Sequence, residues 1–354
     1  MAIEWLAGNR LRGTTAERPS ASLQSPSVGG WVEVGRFTAS GAVSSMPVTS
    51  LSDKRYYMYL SHYTSNADGQ RIEINSDTGS NYSQRFSTNG GSDSTGTSQS
   101  NIVAGYGGSG LEEFNVGYIA NKSDKEKLTQ TFVSSYGASG AGTAPNRREC
   151  TGKFANTSAA ISSFDFKPAT STFQSGAEVV VLGFDPGDSH TSNFFEELYS
   201  NELGSDNQEF STGTISAKKY LWLQFYQQGH TGNSILRFNS DSGSNYARRH
   251  SINGASDANV TSQTGLVNVL TGGTADHHSF TNMFIINNSA NEKLCIFETT
   301  FNAAGGSGAS NAPQRIEGVT KWANTSAQIT SVQVTDNTGA GFDTGSIFKI
   351  WGSD

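Results

Sequence analysis

Short apolar runs separated by polar, glycine-rich intervals recur along most of this 354-residue chain, and where side-chain character alternates it does so with a period of two. Trp31–Phe37 and Tyr56–Leu60 concentrate aromatic and β-branched residues, while Arg71–Ile74 alternates polar with apolar as a half-buried strand does. The same reasoning predicts strands at Phe114–Ile119, Lys127–Val133, Ile161–Phe166 and Glu178–Leu182. It predicts a second series at Tyr220–Phe225, Ile235–Phe238, Met283–Ile286, Leu294–Phe297, Ile329–Val334 and Ile347–Trp351. Helical periodicity is nearly absent. Asp77 and Gly79, between Ile74 and Tyr82, have the placement of a hairpin turn in which glycine tolerates positive φ.

The two series are copies of one another. Asn75–Asp93 returns as Asn239–Asp257 with 13 of 19 positions identical, Phe154–Ile161 returns as Trp322–Ile329, and Glu126–Leu128 as Glu292–Leu294. A module of about 165 residues is large enough for its own core. The expected fold is all-β: two tandem antiparallel β-sandwiches, jelly-roll-like, arising from an internal duplication and preceded by an extended N-terminal arm. The arm is assigned to residues 1–30, the first sandwich to 31–186, a linker to 187–193 and the second sandwich to 194–354.

Composition sharpens this picture. Forty glycines, 34% hydrophobic and 10% aromatic residues suit many short strands and turns, and the aromatic content excludes a disordered chain. A net charge of -7 removes the electrostatic footprint of nucleic-acid binding. Two cysteines, Cys150 and Cys295, stand at non-equivalent places in the repeat and indicate neither a disulfide framework nor a metal site. The N-terminal residues lack a basic region followed by an apolar one, and no window approaches the roughly 18 apolar residues of a membrane span. The expectation is a chain made and kept in the cytosol, leaving by a route other than secretion. In the arm, Ile3, Trp5 and Leu6 form an apolar cluster followed by Arg10 and Arg12. That cluster cannot be buried within so short a segment, so the arm is expected to dock on a neighbouring subunit or particle, the alternative being a strand packed on the first sandwich.

Because the duplication is an internal control, candidate chemistry is sought first among repeated positions. Asp77, Gly79 and Asn81, with their counterparts Asp241, Gly243 and Asn245, offer oxygen ligands near a glycine. Their spacing does not match an EF-hand, and turn chemistry is expected, without metal or cofactor. Tyr82 and Tyr246 are expected to cover the sandwich cores, with sugar stacking as the alternative. Arg85 and Arg249 are expected to form structural salt bridges. The six histidines have no histidine counterparts. Glu112–Glu113 and Glu196–Glu197 are neighbours whose side chains point to opposite faces of a strand, which does not suit an acid–base pair, so they are expected to be exposed. No nucleophile elbow or phosphate loop occurs, and no enzymatic activity is expected.

The Asp-Thr/Ser-Gly-Ser-Asn-Tyr runs at Asp77–Tyr82 and Asp241–Tyr246, the Ala-Asn-Thr-Ser-Ala-x-Ile runs ending at Ile161 and Ile329, and the opening Ile3–Arg10 resemble the β-sandwich modules of structural proteins from tailed phages and environmental, often marine, viruses. The resemblance implies a virion component, such as a capsid decoration, head-fibre or tail-appendage subunit. Its partners would be other virion proteins and further copies of itself, with a host surface glycan in an attachment role and no nucleic acid or membrane. It implies no particular functional residue. A carbohydrate-binding adhesin of a cell surface and a double jelly-roll major capsid protein are the alternatives.

Overall fold

The structure, a computed structural model, describes residues 30–64, 69–186, 192–230, 234–267, 277–302, 312–337, 339 and 341–354. Among them no helix occurs, and the strands form four antiparallel sheets. The first half contains β1 (Val32–Thr38), β2 (Met46–Val48), β3 (Tyr56–Thr64), β4 (Gln70–Ile74), β5 (Tyr82–Thr88), β6 (Ser94–Gln99), β7 (Ile102–Val103), β8 (Glu112–Ala120), β9 (Lys127–Ser135), β10 (Asn146–Phe154), β11 (Phe164–Pro168) and β12 (Glu178–Phe184). An eight-stranded sheet in the order β1-β12-β3-β8-β9-β10-β5-β6 lies against a four-stranded sheet in the order β2-β11-β4-β7. Pairings nest inward, β1 with β12, β2 with β11, β4 with β7 and β5 with β6, as in a long antiparallel hairpin rolled between two sheets, the jelly-roll pattern.

The second half repeats this with β13 (Glu196–Glu202), β14 (Glu209–Ser211), β15 (Tyr220–His230), β16 (Ser234–Phe238), β17 (Tyr246–Ile252), β18 (Ala258–Gln263), β19 (Leu266–Val267), β20 (His277–Ile286), β21 (Lys293–Phe301), β22 (Gln314–Trp322), β23 (Val332–Asp336) and β24 (Ile347–Ser353). Its sheets run β13-β24-β15-β20-β21-β22-β17-β18 and β14-β23-β16-β19, the same order strand for strand. Even the irregularities recur. The register shifts between Glu33 and Gly35 in β1 and between Glu197 and Tyr199 in β13, and again at the starts of β5 and β17.

Each sandwich buries its own core. In β3, Tyr57, Tyr59 and Tyr63 point between the sheets and meet Phe164, Phe166 and Phe173. Gly117 on β8 makes room for Tyr59, since a Cβ there would stand 2.1 Å from the ring. In the second sandwich Phe210, Phe225, Phe342 and Phe348 interlock, all but the tilted Phe210–Phe342 pair edge to face.

A third core joins the two sandwiches. The other faces of the large sheets pack together, Met58, Leu60, Phe114, Val116, Val180 and Leu182 from the first meeting Tyr220, Phe284, Ile286, Leu294, Ile296 and Val319 from the second. β3 and β12 are therefore buried on both faces, the physical reason for the unbroken apolar run Val179–Leu182. Polar contacts frame this junction. Arg147 grips Asp257 through Nε and Nη2 at 2.7–3.0 Å, and Glu178 accepts from Lys219 Nζ at 2.8 Å and from the Tyr220 hydroxyl at 2.7 Å. The glycine-rich loop after β9 docks on the second sandwich. Lys321 donates to the carbonyls of Tyr136 and Ala138, Glu292 accepts from Gly140 N, and Ser262 N donates to Ala141 O.

Candidate functional site: an aromatic cleft beside the junction

The repeated residues build one structural corner in each sandwich. The turn at Asp77 does not form a hairpin, because β4 and β5 belong to different sheets; it carries the chain from one to the other. The left-handed residues are Asn75 and Ser76, both at φ 55°, rather than Gly79, and Asn239 and Ser240 repeat them at 51° and 54°. Asparagine accommodates this conformation, and Asn75 is held in it by its neighbours. Asn75 Oδ1 accepts from the N–H groups of Ser162 and Ser163, and Nδ2 donates to Ala160 O at 2.8 Å. Asn239 makes the same three contacts with Thr330, Ser331 and Gln328. The two repeated blocks are thus halves of one contact.

Lys127 and Lys293, from the third repeated block, close that corner from inside. Each is fully buried and donates to three backbone carbonyls, Lys127 to Asn156 at 2.8 Å, Lys125 at 3.0 Å and Ser123 at 3.4 Å, Lys293 to Asn324, Asn291 and Ser289.

Asp77 accepts from Gly79 N and Asn81 Nδ2; Asp241 accepts from Gly243 N, Asn245 Nδ2 and Trp322 Nε1. Their oxygens serve the turn. Tyr82 and Tyr246 are buried in the cores, stacked on Phe154 and Trp322, with their hydroxyls tied to the backbone of β4 and β16. Neither ring offers a face to a sugar. Arg85 forms an exposed ion pair with Asp93 at 3.3 Å, whereas Arg249 Nε donates to Pro145 O across the junction. The arm residues Ile3, Trp5, Leu6, Arg10 and Arg12 lie outside the described residues.

The carboxylates behave differently from expectation. Glu196 and Glu197 are exposed and pair with Lys218 and Lys349, but Glu112 and Glu113 are buried. Glu112 meets His62 Nε2 at 2.6 Å, and Glu113 accepts from the Tyr63 hydroxyl and from the N–H groups of Tyr106 and Gly107. They lie buried on opposite faces of the large sheet, one toward the core and one away from it. Burial pushes the Glu113 carboxyl upward despite these donors. At the corresponding register of the second sandwich Ser279 replaces Glu113 and Gln227 replaces Tyr63, so the cluster is not a shared feature of the module. Burial also pushes both thiols, Cys150 and Cys295, up to about 12, which keeps them protonated and unreactive. Among the described residues no group of three metal-ligating side chains comes together.

What the repeat does not share is an open aromatic cleft on the first sandwich. It crosses the ends of β12, β3, β8 and β9 on the face turned toward the junction, with a volume of about 410 Å³, and is lined by Trp31, Tyr56, Tyr118, Leu128, Gln130 and Phe184. Trp31 packs against Tyr118 and Phe184, and Tyr56 stacks on Phe184 at 6.2 Å. Tyr56 is 41% and Leu128 59% exposed, two of the four large apolar side chains open to solvent among the described residues. Their counterparts, Tyr220 and Leu294, are 1% and 0% exposed, because the first sandwich covers them. The clue in the sequence was the aromatic pair Tyr56–Tyr57 at a strand start, which periodicity alone assigns to a strand without saying that one ring stays outside.

Fold and site together define a fused tandem of β-sandwiches with an open apolar cleft on the first. Neither a protein-family model nor a curated protein matches the sequence. Among solved structures, Ail, the attachment invasion locus protein of Yersinia pestis, overlaps at 6% identity over 80% of this chain and 99% of its own, with a TM-score of 0.14. Neisserial surface protein A overlaps at 7% identity over 80% and 99%, TM-score 0.12, and OccK3 of Pseudomonas aeruginosa at 10% over 87% and 94%, TM-score 0.15. Scores this low carry no argument about fold or function.

Proposed function

We propose that this chain is a non-enzymatic structural protein of a virus particle, a surface subunit of the decoration, head-fibre or tail-appendage kind. The observation that carries the reading is the junction. Two sandwiches are fused face to face by a continuous apolar core and flanking ion pairs, an arrangement suited to a stiff building block. The resemblance of the repeated runs to viral β-sandwich modules points the same way. So does the use of the best acid–base candidates, Glu112 and Glu113, as buried hydrogen-bond acceptors. Cryo-EM of particles from cells producing the chain is the test: paired sandwich density on the particle surface is expected, and a chain found only on the cell envelope would overturn the assignment.

A second reading, a carbohydrate-binding adhesin, is favoured by the aromatic cleft, since exposed rings can stack on a sugar face. Glycan-array binding lost in Tyr56→Ala would support it.

A further inference from the structure

We propose that the aromatic cleft is the seat of the chain's own N-terminal arm, with Ile3, Trp5 and Leu6 covering Tyr56, Tyr118 and Leu128. The repeat supplies the first reason. Tyr220, Phe284, Leu294 and Ile296 hold, in the second sandwich, the register positions of Tyr56, Tyr118, Leu128 and Gln130, and all four are buried against the first sandwich. The module's surface is built to be covered there, and among the described residues Tyr56 and Leu128 of the first sandwich remain open to solvent.

The second reason is where the arm ends. It joins the fold at Gly30, immediately before Trp31, and Trp31 is both a wall of the cleft and packed against the junction core. From Leu6 to Trp31 the chain is rich in Gly, Ser and Pro. A random-coil segment of about 24 residues spans about 27 Å root-mean-square. The cleft spans four adjacent strands, about 14 Å. The arm's apolar cluster is therefore within reach of its own cleft at an effective concentration in the millimolar range, which a second molecule's arm in dilute solution does not match.

The test pairs Leu6→Cys with Leu128→Cys in the full chain under mild oxidation with diamide. Cys150 and Cys295 are buried and stay out of the reaction. An intrachain bridge is expected, seen as a faster monomer band without reductant, at about tenfold the yield obtained when the second cysteine replaces the exposed Ser175 at the far end of β12. Dimer bands that grow with protein concentration would assign the cleft to another molecule's arm, and a yield equal to the control would leave it to a different occupant; either result overturns the proposal. A second measurement uses Leu128→Arg, which is tolerated by the fold at so exposed a position. It should free the arm, and tryptic cleavage at Arg10 and Arg12 should rise about fivefold, whereas unchanged cleavage would also count against the arm.

Discussion

Lys127 and Lys293 stand where the duplicated sequence blocks meet, and each spends its ammonium on backbone carbonyls of the surrounding turns. Replacing Lys127 with Met should strip these partly buried carbonyls of their charged donor. The expected cost is about 2–4 kcal/mol by urea unfolding. Lys153→Met, which removes only an exposed pair with Glu126, should change stability by less than about 0.5 kcal/mol. A different constraint acts at Gly117, where the obstacle to a side chain is the buried Tyr59 ring. Gly117→Ala should cost about 1–3 kcal/mol through overpacking, and a crystal structure of the variant should show the Tyr59 ring displaced.

Among the elements, β8 and β9 lie against β21 across the junction, and Glu178 at the start of β12 is one of its polar anchors. Burial acts to raise this carboxyl, but Lys219, Tyr220 and Thr38 outweigh it and hold it down at about 2, against an ordinary 4.5. The folded protein therefore releases this proton more readily than the unfolded chain. The stabilisation, about 3 kcal/mol in order of magnitude, is complete above pH 4.5 and is lost as the pH falls from there toward 2. Glu178→Gln should flatten the dependence of the unfolding free energy on pH between 4.5 and 2; a variant as acid-sensitive as the native chain would assign that sensitivity elsewhere. The loop after β9 adds a second tether through Lys321, and its glycines let the backbone lie against Glu292 and Ser262.

At the scale of the whole molecule, the junction makes the sandwiches interdependent. Each has its own core, yet a chain cut down to residues 194–354 would expose Tyr220, Phe284, Leu294, Ile296 and Val319 together, an apolar patch large enough to drive association. The truncated chain is expected to bind a hydrophobic dye and self-associate in sedimentation, while the full chain shows a single cooperative thermal transition. Two well-separated transitions in the full chain would contradict this coupling.

The sequence by itself determined the class of fold, the duplication and the strands with strong apolar patterning, because a period of two and a repeated turn are local properties. It also marked β12, whose run Val179–Leu182 has no polar face to give to water. The edge strands β6 and β18, Ser94–Gln99 and Ala258–Gln263, were not legible, since polar and small residues there form strands only because β5 and β17 offer an edge to pair with. The turn at Asp77 read as a hairpin because turn chemistry is local, while the sheet to which the next strand belongs is not. Only the tertiary structure decided that Glu112 and Glu113 are buried, since their partners His62 and Tyr63 lie 50 residues away on β3. It alone decided that Leu128 is open and Leu294 covered. Those residues occupy equivalent positions in the two modules, and what separates them is that the first sandwich lies over Leu294 and not over Leu128.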